Sequence, residues 1–470
     1  MARNRKGISR RSFVAKSAAA VAGFTIVPRH CLARSGQVSP NERVRIAAIG
    51  IAGQGGSDIE HLNATGEAQF VGLCDVDWSK RTGKTFEQFP DAKRFHDFRK
   101  MFDEMADQFD AVLVATPDHT HAVAAMTAIK HGKHIYCEKP LSHSVWEVRQ
   151  LMAAAKEKGV VSQLGNQGHS YNSIRTFCEW IWDGAIGDVH TVHVACGVEN
   201  SGLDQLEAAK MAQPAPASLD WELWLGPAKS RAYNNAYCPT RWRGWVPFGT
   251  GTLGDWTCHV CDPVFWALDL GAPHTVQAEV KNYDPIKDAD VYPKGAVVRF
   301  EFAGKGERGP VTLYWHAGTE GIPHPPGLDP KLKLPTTGGV VIGDKGTIMH
   351  GSHGALQCRI VPESKMIEYD EKLKREPLKK TLPRLKGGDV ETWQNSLAHH
   401  YDWLEAIKAG RKAGSDFSYG GPLSEIALTG DIAIRLAGTE LKWDSPAMRF
   451  TNSPEATAML TPHFENGWTL

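Results

Sequence analysis

The feature that most constrains the fold is a short apolar strand that runs directly into a cluster of glycines. Val44–Ile49 is rich in β-branched and small apolar residues, as in a buried strand. Gly50-Ile51-Ala52-Gly53-Gln54-Gly55-Gly56 follows it, and a helical pattern covers residues 57–62. Strand, glycine turn and helix in this order predict a dinucleotide site, with the pyrophosphate on backbone N–H groups at the helix start.

Each position of this turn has a predicted role. Gly50 permits the tight turn, and Gly55 permits close packing of helix on strand. The middle glycine of the G-x-G-x-x-G pattern is replaced by Ala52, with Gly53 beside it. We therefore expect Gly50, Ala52, Gly53, Gln54 and Gly55 to contact the cofactor.

An acidic residue follows the second predicted strand, residues 70–74. Asp75 lies 20 residues beyond Gly55, where an acid accepts hydrogen bonds from the adenosine ribose. A carboxylate there repels a 2′-phosphate and favours NAD. Lys80 and Arg81 lie nearby, and because their positive charges attract a 2′-phosphate, NADP stays a candidate cofactor.

Strands and helices continue to alternate up to about residue 164. The strand predicted over residues 110–115 ends in Thr116-Pro117-Asp118-His119-Thr120-His121, and the next strand leads into Glu138-Lys139-Pro140-Leu141. This alternation predicts an α/β fold with a parallel, doubly wound sheet. Both motifs follow strands, at the carboxyl edge where such sheets bind ligands.

The N-terminus has the order of a secretory signal. Seven Lys and Arg and no Asp or Glu precede residue 34, and residues 17–27 are mostly small and apolar. That run is shorter than the roughly 20 residues of a membrane span, and Cys31-Leu32-Ala33 offers a cleavage site. Ser9-Arg10-Arg11-Ser12-Phe13 resembles a twin-arginine signal. We expect twin-arginine export to the periplasm; a basic, disordered N-terminus that is retained is the alternative.

The length of the chain indicates how many domains it has, and its net charge indicates which classes of partner are excluded. The 470 residues suggest a signal and two domains, which we place at residues 1–33, 34–164 and 165–470. Seven of the 53 Lys and Arg precede residue 34, so the remainder carries 46 against 53 Asp and Glu. This mildly acidic balance argues against nucleic acid and anionic membranes as partners. We also expect no stable membrane insertion.

Four motifs together resemble the Gfo/Idh/MocA family, the glucose–fructose oxidoreductase and inositol dehydrogenase group. They are GIAGQG (50–55), ATPDHTH (115–121), EKPL (138–141) and GTLGDWTCHVCD (251–262), and the resemblance runs from about residue 43 to the end. It implies an N-terminal Rossmann domain and a C-terminal α/β domain with an open, mostly antiparallel sheet. It also implies a small carbohydrate as substrate and a homo-oligomer, a dimer or tetramer.

The resemblance implies three catalytic residues: Lys139 as the active-site lysine, with Asp255 and His259 facing the nicotinamide. If the segment after Gly254 is helical, then Asp255, His259 and Asp262 share one face, with a kink at Pro263. A histidine oriented by a carboxylate suits removal of a hydroxyl proton, and a lysine stabilises the developing alkoxide. The alternative is that neither residue is catalytic, with His259 a residue of the core and Lys139 a cation on the surface.

Further residues complete the predicted site. We expect additional cofactor contacts from Thr116, Pro117, His119, His121, Glu138, Lys139 and Gln167. The predicted substrate contacts are Lys139, Asp255, His259, Arg241, Arg243 and Trp256. The clustered tryptophans between 221 and 266 are either core or a platform for a sugar ring. We expect no metal, although Asp255, His259 and Asp262 are chemically able to ligate one.

Export and nicotinamide binding together pose a constraint, because a cofactor released outside the cytoplasm would be lost. We therefore expect tightly held NAD that is regenerated in each cycle, in an oxidoreductase acting on a sugar, polyol or glycoside hydroxyl. An NAD-dependent glycosidase, lyase or epimerase working through a transient keto-sugar is the alternative. A non-catalytic sugar-binding protein is a third reading.

Overall fold

The glycine-flanked strand lies in the middle of a six-stranded parallel sheet. The structure is a computed structural model that describes residues 42–325, 328–390, 392 and 396–470, so the predicted export signal lies outside the described residues. The elements of this first half are β1 (Val44–Ile49), α1 (Gln54–Ala64), β2 (Ala68–Cys74), α2 (Lys80–Gln88), β3 (Lys93–Phe95), α3 (Phe98–Met105), β4 (Ala111–Val114), α4 (Asp118–Lys130), β5 (His134–Cys137), α5 (Val145–Lys158) and β6 (Ser162–Leu164).

The strand order of this sheet is β3-β2-β1-β4-β5-β6, and every neighbouring pair is parallel. The strands are almost wholly buried because helices cover both faces. The order reverses between β1 and β4, which opens a crevice beyond their carboxyl ends. This confirms the predicted doubly wound sheet.

Local sequence explains the bounds of α5. The Ser144 hydroxyl accepts a hydrogen bond from the Glu147 N–H at 3.3 Å and donates to the Glu147 carboxylate at 3.0 Å. Gly159 ends the helix in the left-handed conformation at φ 65°. Such caps satisfy backbone groups that a helix end leaves free.

A larger sheet forms the second half. Its elements are α6 (Asn172–Asp183), β7 (Val189–Cys196), α7 (Leu206–Ala209), α8 (Trp221–Leu225), α9 (Gly251–Val260), α10 (Asp262–Ala267), β8 (Thr275–Val280), β9 (Gly295–Phe302), β10 (Val311–Gly318), β11 (Thr337–Gly343), β12 (Thr347–Gly351), β13 (Arg359–Val361), α11 (Glu363–Leu373), α12 (Ala398–Ala409), α13 (Phe417–Arg435), β14 (Leu441–Asp444), β15 (Arg449–Phe450) and α14 (Pro454–Ala458).

The nine strands of this sheet run in the order β13-β12-β11-β7-β10-β9-β8-β14-β15. The pair β7–β10 is parallel and the other pairs are antiparallel. This confirms the predicted open, mostly antiparallel sheet. Helix α9 packs closely on α13: a Cβ added at Gly430 would come within 2.5 Å of Leu253 and 2.8 Å of Phe300. That close approach fixes α9, which carries the DWTCHVCD motif.

Two segments that the sequence predicts to be irregular surface chain contain regular elements: the Pro- and Gly-rich stretch 323–339 and the Lys- and Glu-rich stretch 365–387. Strand β11 starts at the end of the Pro- and Gly-rich stretch 323–339 and continues beyond it. Its glycines let it approach β12 closely, because a Cβ at Gly338 would meet the His350 carbonyl oxygen at 2.1 Å. Helix α11 docks through Met366, Tyr369 and Leu373, which pack against the hydrophobic core. Its Tyr369 hydroxyl and Lys372 ammonium bind the Asp183 carboxylate at 2.9 and 2.7 Å.

The sequence also predicts a helix over residues 393–409, and the structure describes this helix, α12, from Ala398 to Ala409. No helix in the described part of the chain has the length and apolar character to cross a bilayer.

Candidate active site

The glycine turn between β1 and α1 has the shape of a cofactor cradle. Gly50 has φ +81°, and a Cβ there would lie 2.5 Å from the Ala115 carbonyl oxygen. A Cβ at Gly55 would lie 2.1 Å from the Gly50 oxygen. A side chain at Gly50 would collide with the chain after β4, and one at Gly55 would push α1 off the sheet.

The N-terminus of α1 is open to a ligand. Gly53 is its N-cap, and no side chain caps the helix. A Cβ built at Gly53 would meet only the Arg81 guanidinium, at 3.9 Å. Free N–H groups at the positive end of a helix dipole fit a diphosphate. Gly50, Ala52, Gly53 and Gln54 all line the cavity in front of this turn.

That cavity is one continuous cleft of about 1310 Å³, counting space open to solvent. It extends from the glycine turn and Asp75 past Thr116 and Pro117 to Glu138 and Lys139. The lining therefore joins most of the predicted cofactor residues to the predicted catalytic lysine.

Asp75 lies at the end of β2 and accepts N–H hydrogen bonds from Ile51 and Asp77, both at 2.9 Å. Burial raises the pKa of its carboxyl to about 6, against the effect of these two hydrogen bonds. Arg81 also lines the cavity here. Asp75 thus holds the turn in place and remains mostly ionised at neutral pH.

Lys139 and Asp255 form the centre of the site. The Lys139 ammonium, at the carboxyl end of β5, donates to the Asp255 Oδ1 at 2.6 Å and to its backbone oxygen at 3.1 Å. Arg243 Nε lies 2.9 Å from the same Oδ1, and Asn200 Nδ2 donates to Oδ2 at 3.0 Å. The side chains of Lys139 and Asp255 are only 11% and 12% exposed.

These contacts set the protonation states. Burial alone would raise the pKa of Asp255, but Arg243 and Lys139 outweigh it and hold that pKa below its usual value. Burial would lower the pKa of Lys139, and the Asp255 charge reverses this and raises it. Asp255 is therefore a fixed anion and Lys139 a fixed cation, and neither is a base at neutral pH.

His259 is the candidate base. It is buried on α9, and burial lowers the pKa of its imidazole well below the usual value, assisted by His353 and Lys139. Its Nδ1 is buried and has no hydrogen-bond partner among the described residues. The expected contact with the Asp255 carboxylate is not formed, because both carboxylate oxygens are bound by Lys139, Arg243 and Asn200.

A second imidazole, His353, lies against the first. The two ring centroids are 4.1 Å apart and the planes tilt by 32°. His353 comes from the loop after β12, where its φ is +44° and its Nδ1 lies 2.9 Å from the Ser352 hydroxyl. Burial lowers its pKa to about 3. The Trp256 ring lies 5.7 Å from His259 and 5.4 Å from His353.

Other predicted residues lie around this centre in different roles. His121 lines the cavity, and its ring nitrogens lie 2.8 Å from the carbonyl oxygens of Thr116 and Pro140. His119 lies behind the wall, between the carbonyl oxygens of Phe248 and Trp224. Burial lowers the pKa of His119 to about 3 and of His121 to about 4. Both imidazoles are held between backbone carbonyl oxygens, His121 at the cavity wall and His119 behind it.

Gln167 and Arg241 lie apart from the predicted ligand contacts. Gln167 donates a hydrogen bond to the Glu138 carboxylate at 2.8 Å. Glu138 lines the cavity and Gln167 does not, so Gln167 acts on the site through Glu138. Arg241 is exposed and is not part of the cavity wall formed by the described residues. Its neighbour Arg243 lines the wall, with its guanidinium over the Trp242 ring at 4.2 Å.

Asp262 is separated from Asp255 and His259. Helix α9 ends at Val260 and α10 starts at Asp262, so the one-face arrangement is interrupted. The Asp262 carboxylate instead accepts hydrogen bonds from Asn166 and Tyr419 and contacts His169. The described residues contain no group of three or more His, Cys, Asp or Glu arranged to hold a metal ion.

Three site residues escaped the sequence interpretation: Asn200, His353 and Asp118. Asp118 accepts a hydrogen bond from the Thr250 hydroxyl at 2.6 Å, and burial raises its pKa to about 6. It stands inside the ATPDHTH motif, which was a usable signal. Asn200 and His353 stand in loops after β7 and β12, and no local pattern marks them.

Comparison with known proteins agrees with this architecture. Residues 44–166 match a family model described as "Oxidoreductase family, NAD-binding Rossmann fold", and residues 191–302 match "Oxidoreductase family, C-terminal alpha/beta domain". An inositol 2-dehydrogenase of Rubrobacter xylanophilus is 34% identical over 25% of this chain and 33% of its own length. A glycosyl hydrolase family 109 protein of Solibacter usitatus is 33% identical over 29% of this chain and 33% of its own.

The chain thus aligns with about a third of the length of these two relatives. Among solved structures, the WlbA dehydrogenase of Bordetella pertussis, in complex with NADH and UDP-GlcNAcA, is 16% identical with a TM-score of 0.57. The match covers 86% of this chain and 99% of that one, and it shows a shared fold. On the two family models and this fold, the chain belongs to the Gfo/Idh/MocA family of oxidoreductases and has its NAD-binding Rossmann domain.

Proposed function

We propose that this protein oxidises a hydroxyl group of a sugar, polyol or glycoside with an NAD that stays bound, and that the reduced cofactor then returns its hydride to the carbonyl carbon of a second substrate within each cycle. One observation carries the proposal: the glycine turn and Lys139, which is paired with Asp255, line the same cavity. NAD, when bound there, supplies a hydride acceptor and donor. NAD is favoured over NADP by Asp75, while Arg81 leaves some tolerance for a 2′-phosphate.

Each side chain of the centre has a separate task. The Lys139 ammonium donates a hydrogen bond to the substrate oxygen and stabilises negative charge as that oxygen loses its proton. His259 is neutral and accepts this proton. Asp255, with Arg243 and Asn200, holds Lys139 in place and keeps it charged. Trp242 lies beside Arg243 on the cavity wall, buried and with the Arg243 guanidinium over its ring, and so supports Arg243.

The curated relatives support this substrate class. The inositol 2-dehydrogenase acts, by its name, on a cyclic polyol, and the glycosyl hydrolase family 109 protein on a glycoside. Both substrates present ring hydroxyls next to C–H bonds. A small, polar carbohydrate also fits a cleft whose inner end carries two cations and one anion.

The close contact between the His259 and His353 rings favours a second candidate, a redox-neutral glycosidase, lyase or epimerase reaction. Oxidation of one hydroxyl acidifies the C–H bond on the neighbouring carbon, and a second base must then remove that proton. The His353 imidazole, whose ring centroid is 4.1 Å from that of His259, is the candidate for this second base. Deuterium uptake from D₂O at that carbon, lost in His353→Phe while bound NAD is still reduced, identifies this route.

Catalysis is tested by screening the purified chain against free sugars, polyols and methyl glycosides, following the absorbance of reduced nicotinamide. Lys139→Ala is expected to lower turnover about 100-fold or more, the scale of losing one oxyanion donor. Lys156→Ala, an exposed lysine on α5, is the matched control and is expected to change nothing. If Lys139→Ala left turnover on a found substrate unchanged, this mechanism would be wrong. A chain that binds sugars without turnover would be the non-catalytic sugar-binding protein.

Export by the twin-arginine route to the periplasm belongs to the same proposal. That route carries folded proteins, so NAD loaded in the cytoplasm would travel with the chain. We also propose a homo-oligomer, a dimer or tetramer that meets through the open face of the nine-stranded sheet. Analytical ultracentrifugation of the purified chain tests this, and a monomer at micromolar concentration would contradict it.

A further inference from the structure

The adenosine half of the cofactor has a defined side of the cleft. In a sheet of order β3-β2-β1-β4-β5-β6, the dinucleotide lies across the switch between β1 and β4. The nicotinamide end belongs with β4 and β5, where Lys139 lies. The adenosine end therefore belongs with β2 and β3, beside Asp75 and the residues that follow β3. His96, Asp97 and Phe98 line the cavity there.

An aromatic residue from the far end of the chain also lines this side. Trp468 lies in the C-terminal tail, half-buried, and forms part of the cavity wall. Its ring centroid is 5.6 Å from that of Phe98, and the Arg99 guanidinium lies over the indole at 4.2 Å. Arg99 is itself held by the Asp97 carboxylate at 2.7 Å. The indole is therefore fixed next to the proposed adenine position.

The tail that carries Trp468 is tied down by backbone and side-chain hydrogen bonds. Asn466 Nδ2 donates to the carbonyl oxygens of Gly226 and Ala228 at 3.0 and 2.9 Å. The Glu465 N–H donates to the Pro227 oxygen at 3.0 Å. These bonds join the tail to the loop after α8.

That loop is part of what we call the cover segment, residues 218–240. The cover segment is bound to the chain after β2: the Trp78 N–H donates to the Ser218 oxygen at 2.9 Å, and the Asp220 N–H donates to the Val76 oxygen at 2.9 Å. The Ser218 hydroxyl also donates to the Asp77 carboxylate at 2.8 Å. The residues of the segment that face the cavity are Leu223, Trp224, Cys238, Pro239 and Thr240.

We propose that Trp468 is a cofactor-binding residue that stacks on the adenine of NAD, and that the cover segment and the tail together retain the adenosine half. This rests on the proposed function, because it supplies the physical means by which NAD stays bound. Adenine has an aromatic face that an indole can stack on whatever its hydrogen bonds. His96 stands at the same wall, stacked on Trp78 at 4.0 Å, and its buried Nδ1 has no hydrogen-bond partner among the described residues.

The test separates the two halves of the cofactor by calorimetric titration of full-length protein freed of nucleotide. The probes are ADP-ribose, which carries the adenosine half, and nicotinamide mononucleotide, which does not. Trp468→Ala is expected to weaken ADP-ribose binding about 5- to 100-fold, the scale of one base–aromatic stack. Nicotinamide mononucleotide binding is expected to stay unchanged. Trp468→Phe should restore most of the loss, since a phenyl ring still stacks.

Phe464→Ala is the matched control, because Phe464 belongs to the same tail but packs on Trp146 and lines a different cavity. It is expected to leave ADP-ribose binding unchanged. Equal ADP-ribose affinity in wild type and Trp468→Ala would overturn the proposal. So would an equal loss for both probes, or an equal loss in Phe464→Ala. Recovery of nucleotide-free protein from cells would defeat NAD retention, whereas the ADP-ribose comparison would still decide the role of Trp468.

Discussion

The Lys139 ammonium lies 2.6 Å from the Asp255 carboxylate, although 116 residues separate the two along the chain. Lys139 stands at the end of a Rossmann strand and Asp255 on the helix that opens the DWTCHVCD motif. Their contact joins the cofactor-binding half to the half that carries the large sheet. The site therefore forms only when both halves are folded and docked.

Removing the Asp255 charge is expected to cost stability as well as activity. Asp255→Asn leaves Lys139 and Arg243 buried without their anion, and breaking a buried pair costs about 3–5 kcal/mol. We expect a lower melting temperature by calorimetry and loss of turnover.

Asp269→Asn is the control for that variant. Asp269 pairs with Lys305 at the same 2.6 Å, but the two side chains are 77% and 55% exposed. An exposed pair contributes at most about 1 kcal/mol. Equal destabilisation by the two variants would contradict the burial argument.

The glycine turn makes a second prediction. In Gly55→Ala the added methyl would lie 2.1 Å from the Gly50 oxygen, so α1 must shift away from the sheet. Overpacking of this kind costs about 1–3 kcal/mol, and the moved N–H groups should weaken NAD binding, measured by titration. Gly83→Ala on α2 is the control, because a Cβ there has no atom within 4 Å. Unchanged NAD affinity in Gly55→Ala would contradict the role of the glycine turn in binding the cofactor.

The pH dependence of the hydride step follows from the pKa of His259. Burial lowers that pKa well below the ordinary value of about 6.5, so the neutral, proton-accepting form persists as the pH falls. The Lys139 pKa is raised, so its charge persists as the pH rises. We expect the single-turnover rate of bound-NAD reduction to be flat between about pH 7 and 9, above the pKa of about 6 at Asp118, which lines the same cavity. An acidic limb centred near pH 6.5 that persists in Asp118→Asn would show an imidazole with an ordinary pKa instead.

Export makes a prediction about the N-terminal arginines. Replacing both Arg10 and Arg11 with Lys keeps the charge but removes the paired arginines that the twin-arginine route requires. We expect this variant to accumulate in the cytoplasm, measured by cell fractionation, while wild type reaches the periplasm. Equal distribution of the two would contradict twin-arginine export.

Much of the first half could be predicted because its signals are local. Val44–Ile49, the glycine turn and Asp75 lie within about 30 residues, and the strand bounds agree with the sequence interpretation. The catalytic pair was reachable only through family resemblance, since nothing near Lys139 indicates that Asp255 will face it.

The remaining parts depend on tertiary contacts that leave no periodic pattern. His353 reaches the site through a loop with left-handed backbone, and Trp468 reaches it from the last residues of the chain. Asp262 shows the opposite case. Its spacing suggested a shared face with Asp255, but a break at Cys261 turns it toward His169.

The central claim, that a sugar hydroxyl is oxidised by an NAD that does not leave, is tested most directly on the purified full chain with no nucleotide added. The account predicts close to one NAD per chain after denaturation. It also predicts that the absorbance band of reduced nicotinamide appears on mixing with substrate alone. Nucleotide-free protein that turns over only when NAD is supplied, at a rate that rises with the added concentration, would contradict it.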